Sequence, residues 1–312
     1  MVITQSRMFP ELLHPTVADP DVQWQFPRWL AEKNQITETP RSQPETPQPI
    51  PPAEMREWVD STVAQIATEA VDAVMINSVV QYFPSIDYLV EVLEQAVKVV
   101  TYHGFVFVGN VRSFPLQEVF HTSVQFKQAL DQLSLTQLRK RVKNTMQLDS
   151  ELVIDPEFFT RLGQRLPQVS QVQIQLKRGY QHNQTTKFCY DVIFHIDDKC
   201  PLVKPQMLDW QQNQITVSDV RQFLQATQPN YGVISNIPNA RLCHDLNILE
   251  LLNHNPEVVT VGELRSCLPP MTSALGIEPE TWWALSERLP YTISINWSRD
   301  FLGYYNVVFQ HK

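Results

Sequence analysis

Residues 71–115 read VDAVMINSVVQYFPSIDYLVEVLEQAVKVVTYHGFVFVGNVRSFP, and the fold turns on how this stretch is divided. Val71 to Ile76 is a short, nearly continuous apolar run, as expected of a strand covered on both faces in a parallel sheet. Ser85 is placed to cap a helix, with Asp87 in its first turn, where the helix dipole favours a carboxylate. Ile86, Leu89, Val90, Leu93, Val97 and Val100 then recur at helical spacing and make one apolar stripe. His103-Gly104 is expected to end the helix, and Phe105 to Val108 to form a second buried strand. Strand, crossover helix and strand in so short a span predict a right-handed βαβ unit with parallel strands. Ligands of such sheets gather at the carboxyl ends of the strands. Here those ends are Asn77 to Phe83 and Gly109 to Ser113, both expected as polar or aromatic loops.

Composition narrows the field around that unit. The chain has 312 residues, enough for one large domain or two smaller ones. With 43% hydrophobic and 19% charged residues it reads as globular. A net charge of −8 speaks against nucleic acid as a partner. The densest basic cluster, Arg139-Lys140-Arg141 with Lys143, reads as the solvated face of a helix. The N-terminal residues lack the apolar region of a signal peptide, and no stretch is apolar enough to span a bilayer. The expectation is a cytoplasmic chain without membrane contact. Cys189, Cys200, Cys243 and Cys267 are widely spaced, with no CxxC and no Cys/His metal spacing. No metal site is expected.

Residues 37–52 hold six of the 23 prolines and read as an extended linker. Upstream, Trp24, Phe26, Trp29 and Leu30 leave room for one short helix. Downstream, Ala53 to Ala67 forms an amphipathic pattern with Met55, Trp58, Val59, Val63 and Ile66 on one side. After the βαβ unit, helices are expected near 115–130, 134–147 (capped by Ser134) and 156–165. From residue 170 the pattern switches to alternation. Val172, Ile174 and Leu176 oppose Gln171, Gln173 and Gln175, and Phe188, Tyr190, Val192, Phe194 and Ile196 continue the inward set. That predicts an antiparallel hairpin closing the parallel sheet, with Tyr180 to Asn183 as its turn. Two or three helices are expected in 208–290, with Trp282, Trp283 and Trp297 in a core, and a last hairpin ends the chain. The organisation read from this is an N-terminal segment and linker (1–52), an α/β core (53–200) and a C-terminal α+β lobe (201–312).

The order βαβ, helices, antiparallel hairpin resembles the C-terminal half of a class I S-adenosylmethionine-dependent methyltransferase, a Rossmann-like α/β fold. More narrowly, INSVVQYFPSIDYLVEVLEQAVKVV, FVFVGNVRSFPLQEVFH, ELVIDPEFF, QVQIQLKRG, LDWQQ, IPNAR, WWALSERLPYTISINWS and YYNVVF resemble the N-methyltransferase domains of nonribosomal peptide synthetases. PIPPAEMREWVDSTVAQI resembles the first helix of the same domains, so the likeness covers about 49–67 and 70–312. It implies methylation of the amino nitrogen of a carrier-bound aminoacyl or peptidyl group, with S-adenosylmethionine as donor. It implies Asn77, Gln81 and Tyr82 as the residues that orient the acceptor nitrogen. Asn77, Ser78, Val79, Asn110 and Arg112 are implied on the cofactor side. Read without the family, Asn77 ends a strand and Tyr82-Phe83-Pro84 turns the chain into a helix. Arg112 suits either a carboxylate or phosphate-like group or an ion pair to Glu118. His121 is a base if it faces the cleft and a satisfied surface histidine if it does not.

One part of the family pattern is missing. Those domains place a Gly-rich turn, a ribose-binding acid and an adenine-side acid between the first helix and the INSVVQYFP strand. Here that interval collapses to AQIATEAVDAV, and no two of the eight glycines make a GxG. Thr101-Tyr102-His103-Gly104 stands where the family has Lys-Pro-Gly-Gly, and Asn110 where it has Asp. The expected sheet is therefore partial, and strand 71–77 becomes an edge that residues 1–67 or another chain must cover. Cofactor binding and activity are expected to be impaired. The alternative is a non-catalytic interaction module or remnant.

Overall fold

The computed structural model describes residues 2–4, 71–197, 206–254, 258–269 and 276–312. The Pro-rich segment 37–52, the upstream aromatic segment and the amphipathic stretch 53–67 lie outside the described residues. Strand β2 (Val71–Asn77) leads through a 3-10 turn at Val80–Tyr82 into helix α1 (Ile86–Val99). Ser85 caps α1 by accepting from the Tyr88 amide at 3.2 Å, as its position before the apolar stripe suggested. The return strand β3 (Val100–Ser113) runs parallel to β2 and beside it.

Two expectations about β3 need correction. The helix does not reach His103: it stops at Val99, and Val100 already pairs with Val71. The run Val99-Val100-Thr101 is β-branched and loses side-chain freedom in a helix, so pairing with β2 wins there. The register then jumps, since Ala73 pairs with Phe105, and Thr101–Gly104 bulges out with His103 at φ 65°. Nor is Gly109 to Ser113 a loop. It continues β3, paired to β6 (Cys189–Ile196) and to the two-residue strand β4 (Val153–Ile154). Between Val108 and Val111 one extra residue is accommodated by Asn110 at φ 59°. Asn tolerates that left-handed backbone better than most residues.

After β3 come α2 (Gln117–Gln128), α3 (Leu135–Leu148) and, following β4, α4 (Pro156–Arg165). Ser134 and Gln137 form a reciprocal capping box on α3. Strand β5 (Val169–Leu176), the short helix α5 (Gln184–Phe188) and β6 complete the expected hairpin, with β5 antiparallel to β6 and β6 antiparallel to β3. Strand β1 (Val2–Thr4) pairs antiparallel with Met75 to Ala73 of β2. The sheet order is thus β1-β2-β3-β6-β5, with β4 beside the end of β3. Leu89 and Leu93 of α1, Phe159 of α4 and Val106, Val108, Val192 and Phe194 of the sheet are fully enclosed in its core.

The rest of the described chain builds a second sheet in the order β7-β8-β10-β9. Its strands are β7 (Gln206–Asp209), β8 (Tyr231–Pro238), β9 (Tyr291–Trp297) and β10 (Tyr304–His311). The final hairpin is as expected. The helix count is not: the described residues of 208–290 hold four, α6 (Val217–Thr227), α7 (Ala240–His254), α8 (Val261–Cys267) and α9 (Pro279–Ser286). Strand β8 was also unforeseen, because its YGVISNIP mixes polar and apolar residues without clean alternation. Trp282 and Trp283 are buried in this second core, and Trp297 packs against both it and the first.

Candidate functional site

The parallel pair β2–β3 brings two left-handed residues side by side at its carboxyl end. Ser78 has φ 57° and its amide donates to the Gly109 carbonyl at 3.1 Å. Asn110 donates from Nδ2 to Ser78 Oγ at 2.6 Å, and its amide donates to Asp191 Oδ1 at 2.9 Å. Asp191 is in turn held by Lys177 at 2.8 Å. Gln81 closes the loop by donating from Nε2 to the Ser78 carbonyl at 3.2 Å. The exposed Asn77 lies over Gly109, where a Cβ would sit 2.2 Å from Asn77 Oδ1. Gly109 is needed there for that close approach. Val79 is half-buried against the sheet core, and Tyr82 is exposed on the rim.

Asn77, Ser78, Gln81 and Asn110 therefore meet around one point, where β2 ends beside the bulge of β3 at Asn110. Two oxygens there, Gln81 Oε1 and Asn110 Oδ1, are buried without a hydrogen-bond partner among the described residues. Buried acceptors left open in this way are costly and call for a donor.

Arg112 belongs to a different cluster, one step further along β3. Its guanidinium forks onto Asp149, with Nη1 to Oδ1 at 3.2 Å and Nη2 to Oδ2 at 3.0 Å, and Nη1 reaches Glu151 Oε2 at 2.7 Å. The expected partner Glu118 is not the one used: it is exposed on α2, and the acids that follow α3 take the role. Phe120 stacks under the guanidinium at 4.8 Å. His121 is buried, not at the surface, and its Nε2 lies 2.9 Å from Asp149 Oδ2. These groups border an open surface depression of about 290 Å³, also lined by Gln184. Burial works against ionising Asp149, but hydrogen bonds from Arg112, the Glu151 amide and His121 outweigh it and hold the carboxyl below its ordinary range. Burial likewise opposes the charged Arg112, and the two carboxylates more than offset it. Asp149, Glu151 and Gln184 escaped the sequence reading, since acids after a helix look like any solvated helix end.

The two clusters are joined: the Leu152 amide, next to Glu151, donates to the Gln81 carbonyl at 2.8 Å.

These residues make a poor cradle for S-adenosylmethionine. The place beside β2 is taken by β1, which runs antiparallel and carries no glycine. The polar groups that turn inward at the two strand ends are largely bonded to one another, and Asp191 is committed to Lys177 and the Asn110 amide. What stays open are acceptor oxygens, which suit an N–H donor.

Comparison with known proteins finds similarity to short parts of much longer synthetases. It is 37% identical over 233 residues to chondramide synthase cmdD of Chondromyces crocatus, a match covering 73% of this chain and 6% of that protein. The chain is similar to a segment of nonribosomal peptide synthetases. A probable non-canonical nonribosomal peptide synthetase, CymA of Salinispora arenicola, is 36% identical over 182 residues, covering 58% of this chain and 2% of that protein. The chain thus spans a small fraction of the synthetases it matches. No protein-family model matches. A solved SAM-dependent methyltransferase of Thermotoga maritima aligns over 43% of this chain and 59% of its own, at 14% identity and a TM-score of 0.25, too low to bear on the fold. The class I methyltransferase resemblance rests instead on the sequence blocks within this synthetase-like segment and on the observed strand order. Among the described residues no helix is long and apolar enough to cross a membrane.

Proposed function

We propose that this chain is the acceptor side of an N-methyltransferase of nonribosomal peptide assembly, lacking the part that grips the methyl donor. On this reading Asn77, Gln81 and Tyr82 orient the amino nitrogen of a carrier-bound aminoacyl or peptidyl group. Ser78, Val79 and Asn110 line the donor side, and Arg112 acts one layer behind them, through Glu151 and Leu152. The observation that supports it most is the pair of open buried acceptors, Gln81 Oε1 and Asn110 Oδ1, at the end of a parallel strand pair. The chain would work in the cytoplasm, where peptide synthetases and their carrier domains would meet it, with the division at residue 200 separating core from C-terminal lobe.

Methyl transfer needs the donor held in line with the nitrogen, so positioning is most of the work. When bound, S-adenosylmethionine would supply an electrophilic methyl group. Losing one hydrogen bond to a charged group costs about 1.5–3 kcal/mol. Each 1.4 kcal/mol is about tenfold in affinity. Absence of the Gly-rich turn and the ribose carboxylate should therefore weaken donor binding by on the order of a thousandfold or more. Isothermal titration with S-adenosylmethionine tests this, alongside transfer of labelled methyl to an aminoacyl thioester. The expected result is no micromolar binding and no transfer by the chain alone. Micromolar binding with turnover would establish an intact enzyme and overturn the impaired reading.

A non-catalytic interaction module is the second reading, favoured by the way β1 fills the place beside β2.

A further inference from the structure

Helix α3 carries Arg139, Lys140, Arg141 and Lys143 and no acidic residue, in a chain whose net charge is −8. Lys127, in the last turn of α2, adds a cation just before the connection to α3. The side that α3 buries is Leu135, Leu138 and Val142. Lys140 and Lys143 share one line of the opposite side, and Arg141, Asn144 and Leu148 share the next, all of them exposed. Arg139, on the flank, donates to the Leu252 carbonyl of α7 at 2.9 Å. Among the described residues no carboxylate pairs with Lys127, Lys140, Arg141 or Lys143. A helix face meant only for water interleaves acids with its bases, because like charges one turn apart repel. Two exposed leucines flank these cations. Leu148, which ends α3, is 82% exposed and Leu130, in the α2–α3 connection, is 75% exposed. They are two of the three most exposed large hydrophobic residues described. A track for phosphates needs cations alone, whereas a protein partner uses charge and apolar contacts together.

We propose that the outer face of α3 docks an acidic helix of a partner protein, with Leu130 and Leu148 as its apolar anchors. The 14 residues of α3 extend over about 20 Å, enough for one such helix to lie along them. Attraction is confined to this face. The rest of the chain is acidic overall and repels the same partner, which sets its orientation. Naming the partner as the carrier of the methyl acceptor rests on the acceptor-side reading above. An acceptor tethered to a protein reaches the strand ends only if that protein settles beside them. Helix α3 is so placed. Asp149, the residue after Leu148, is held by Arg112 at 3.0 Å, and Arg112 lies two residues beyond Asn110 on β3. The Leu152–Gln81 hydrogen bond ties the segment after α3 to the loop that carries Asn77, Gln81 and Tyr82.

The test is fluorescence anisotropy of the full chain with a labelled, stapled helical peptide about as long as α3. The peptide bears glutamates on one face and a leucine at each end. Its counterpart with lysines for glutamates and a labelled oligouridine are the controls. The expected result is saturable binding of the glutamate peptide, weakened by added NaCl, and none of the lysine peptide. Lys140→Glu combined with Lys143→Glu should weaken the glutamate peptide about tenfold and admit the lysine peptide. Leu148→Ser should weaken it about threefold with the salt dependence unchanged. All three positions are exposed, so the variants should keep the parent's circular dichroism and melting temperature. Absence of saturable binding, equal binding of the two peptides, or tighter binding of oligouridine would overturn the proposal. These outcomes leave the acceptor-side reading untouched, since donor binding and methyl transfer decide it. Charge-swapped binding would establish the docking face whichever way that reading falls.

Discussion

Replacing Arg112 by Met would leave Asp149 and Glu151 facing the depression with no cation between them. Arg112 and Asp149 are both largely buried, and removing one member of a buried ion pair costs about 3–5 kcal/mol. Because Glu151 is partly exposed, Arg112→Met should fall near the lower end, about 3 kcal/mol by urea denaturation. The pH dependence has a definite sign. The Asp149 carboxyl is held below its ordinary range, so its contribution is present above the ordinary carboxylate pKa and is lost as pH falls through the depressed folded value. Arg112→Met should shrink that acid-side loss. Parallel stability–pH curves for the two proteins below pH 5 would contradict this account. Arg112 also marks how far single residues can be read: its need for a carboxylate partner follows from its chemistry, whereas the choice of Asp149 over Glu118 does not.

At the scale of elements, β3 and its neighbours set the site. One bulge, at Thr101–Gly104, absorbs what was expected to be a turn, and the second, at Asn110, aims an amide at Ser78. A strand that is apolar from Ala73 to Ile76, as β2 is, was written to be flanked on both edges. Here its outer edge is paired over Ala73 to Met75 by the three residues of β1, which answers part of the expected exposure. Deleting residues 1–4 should reopen that edge and produce concentration-dependent association, visible by sedimentation velocity. A truncated chain that stays monomeric across a hundredfold range of concentration would show that β1 is not what protects it.

At the scale of the molecule, the two sheets are fastened by buried charge as well as by apolar packing. Arg241 of α7 is almost wholly buried and donates to Glu278 and to the carbonyls of Lys177 and Gly179 in the β5–β6 connection. Arg178 forks onto Glu280 of α9 and stacks over Trp283 at 4.5 Å, while Glu280 also takes the Gly179 amide at 2.6 Å. Trp297 touches both cores. Arg241→Met should cost about 3 kcal/mol, since it leaves Glu278 with His182 alone and strips the Lys177 and Gly179 carbonyls of their guanidinium donor. It should also split one thermal transition into two, as the C-terminal sheet melts apart from the first. A single calorimetric transition shifted by less than 2 °C would refute the coupling.

Periodicity alone determined β2, α1, the β5–β6 hairpin, the helices capped by Ser85 and Ser134, and the last hairpin. Each is a local pattern whose apolar spacing admits one structure. Sequence likewise pointed to the meeting of Asn77, Ser78 and Gln81 with Asn110, because parallel pairing of β2 with β3 sets the end of β2 beside Gly109, although β3 itself runs on to Ser113. The end of α1, the length of β3 and the existence of β8 were settled by tertiary pairing. A strand partner outbids local turn signals once its hydrogen bonds are on offer. The His121–Asp149–Arg112 cluster was also decided there. Its members come from a strand, a helix and a loop, and what makes this histidine a buried partner of Asp149 and not a surface residue is the packing of α2 and α3 over the end of β3.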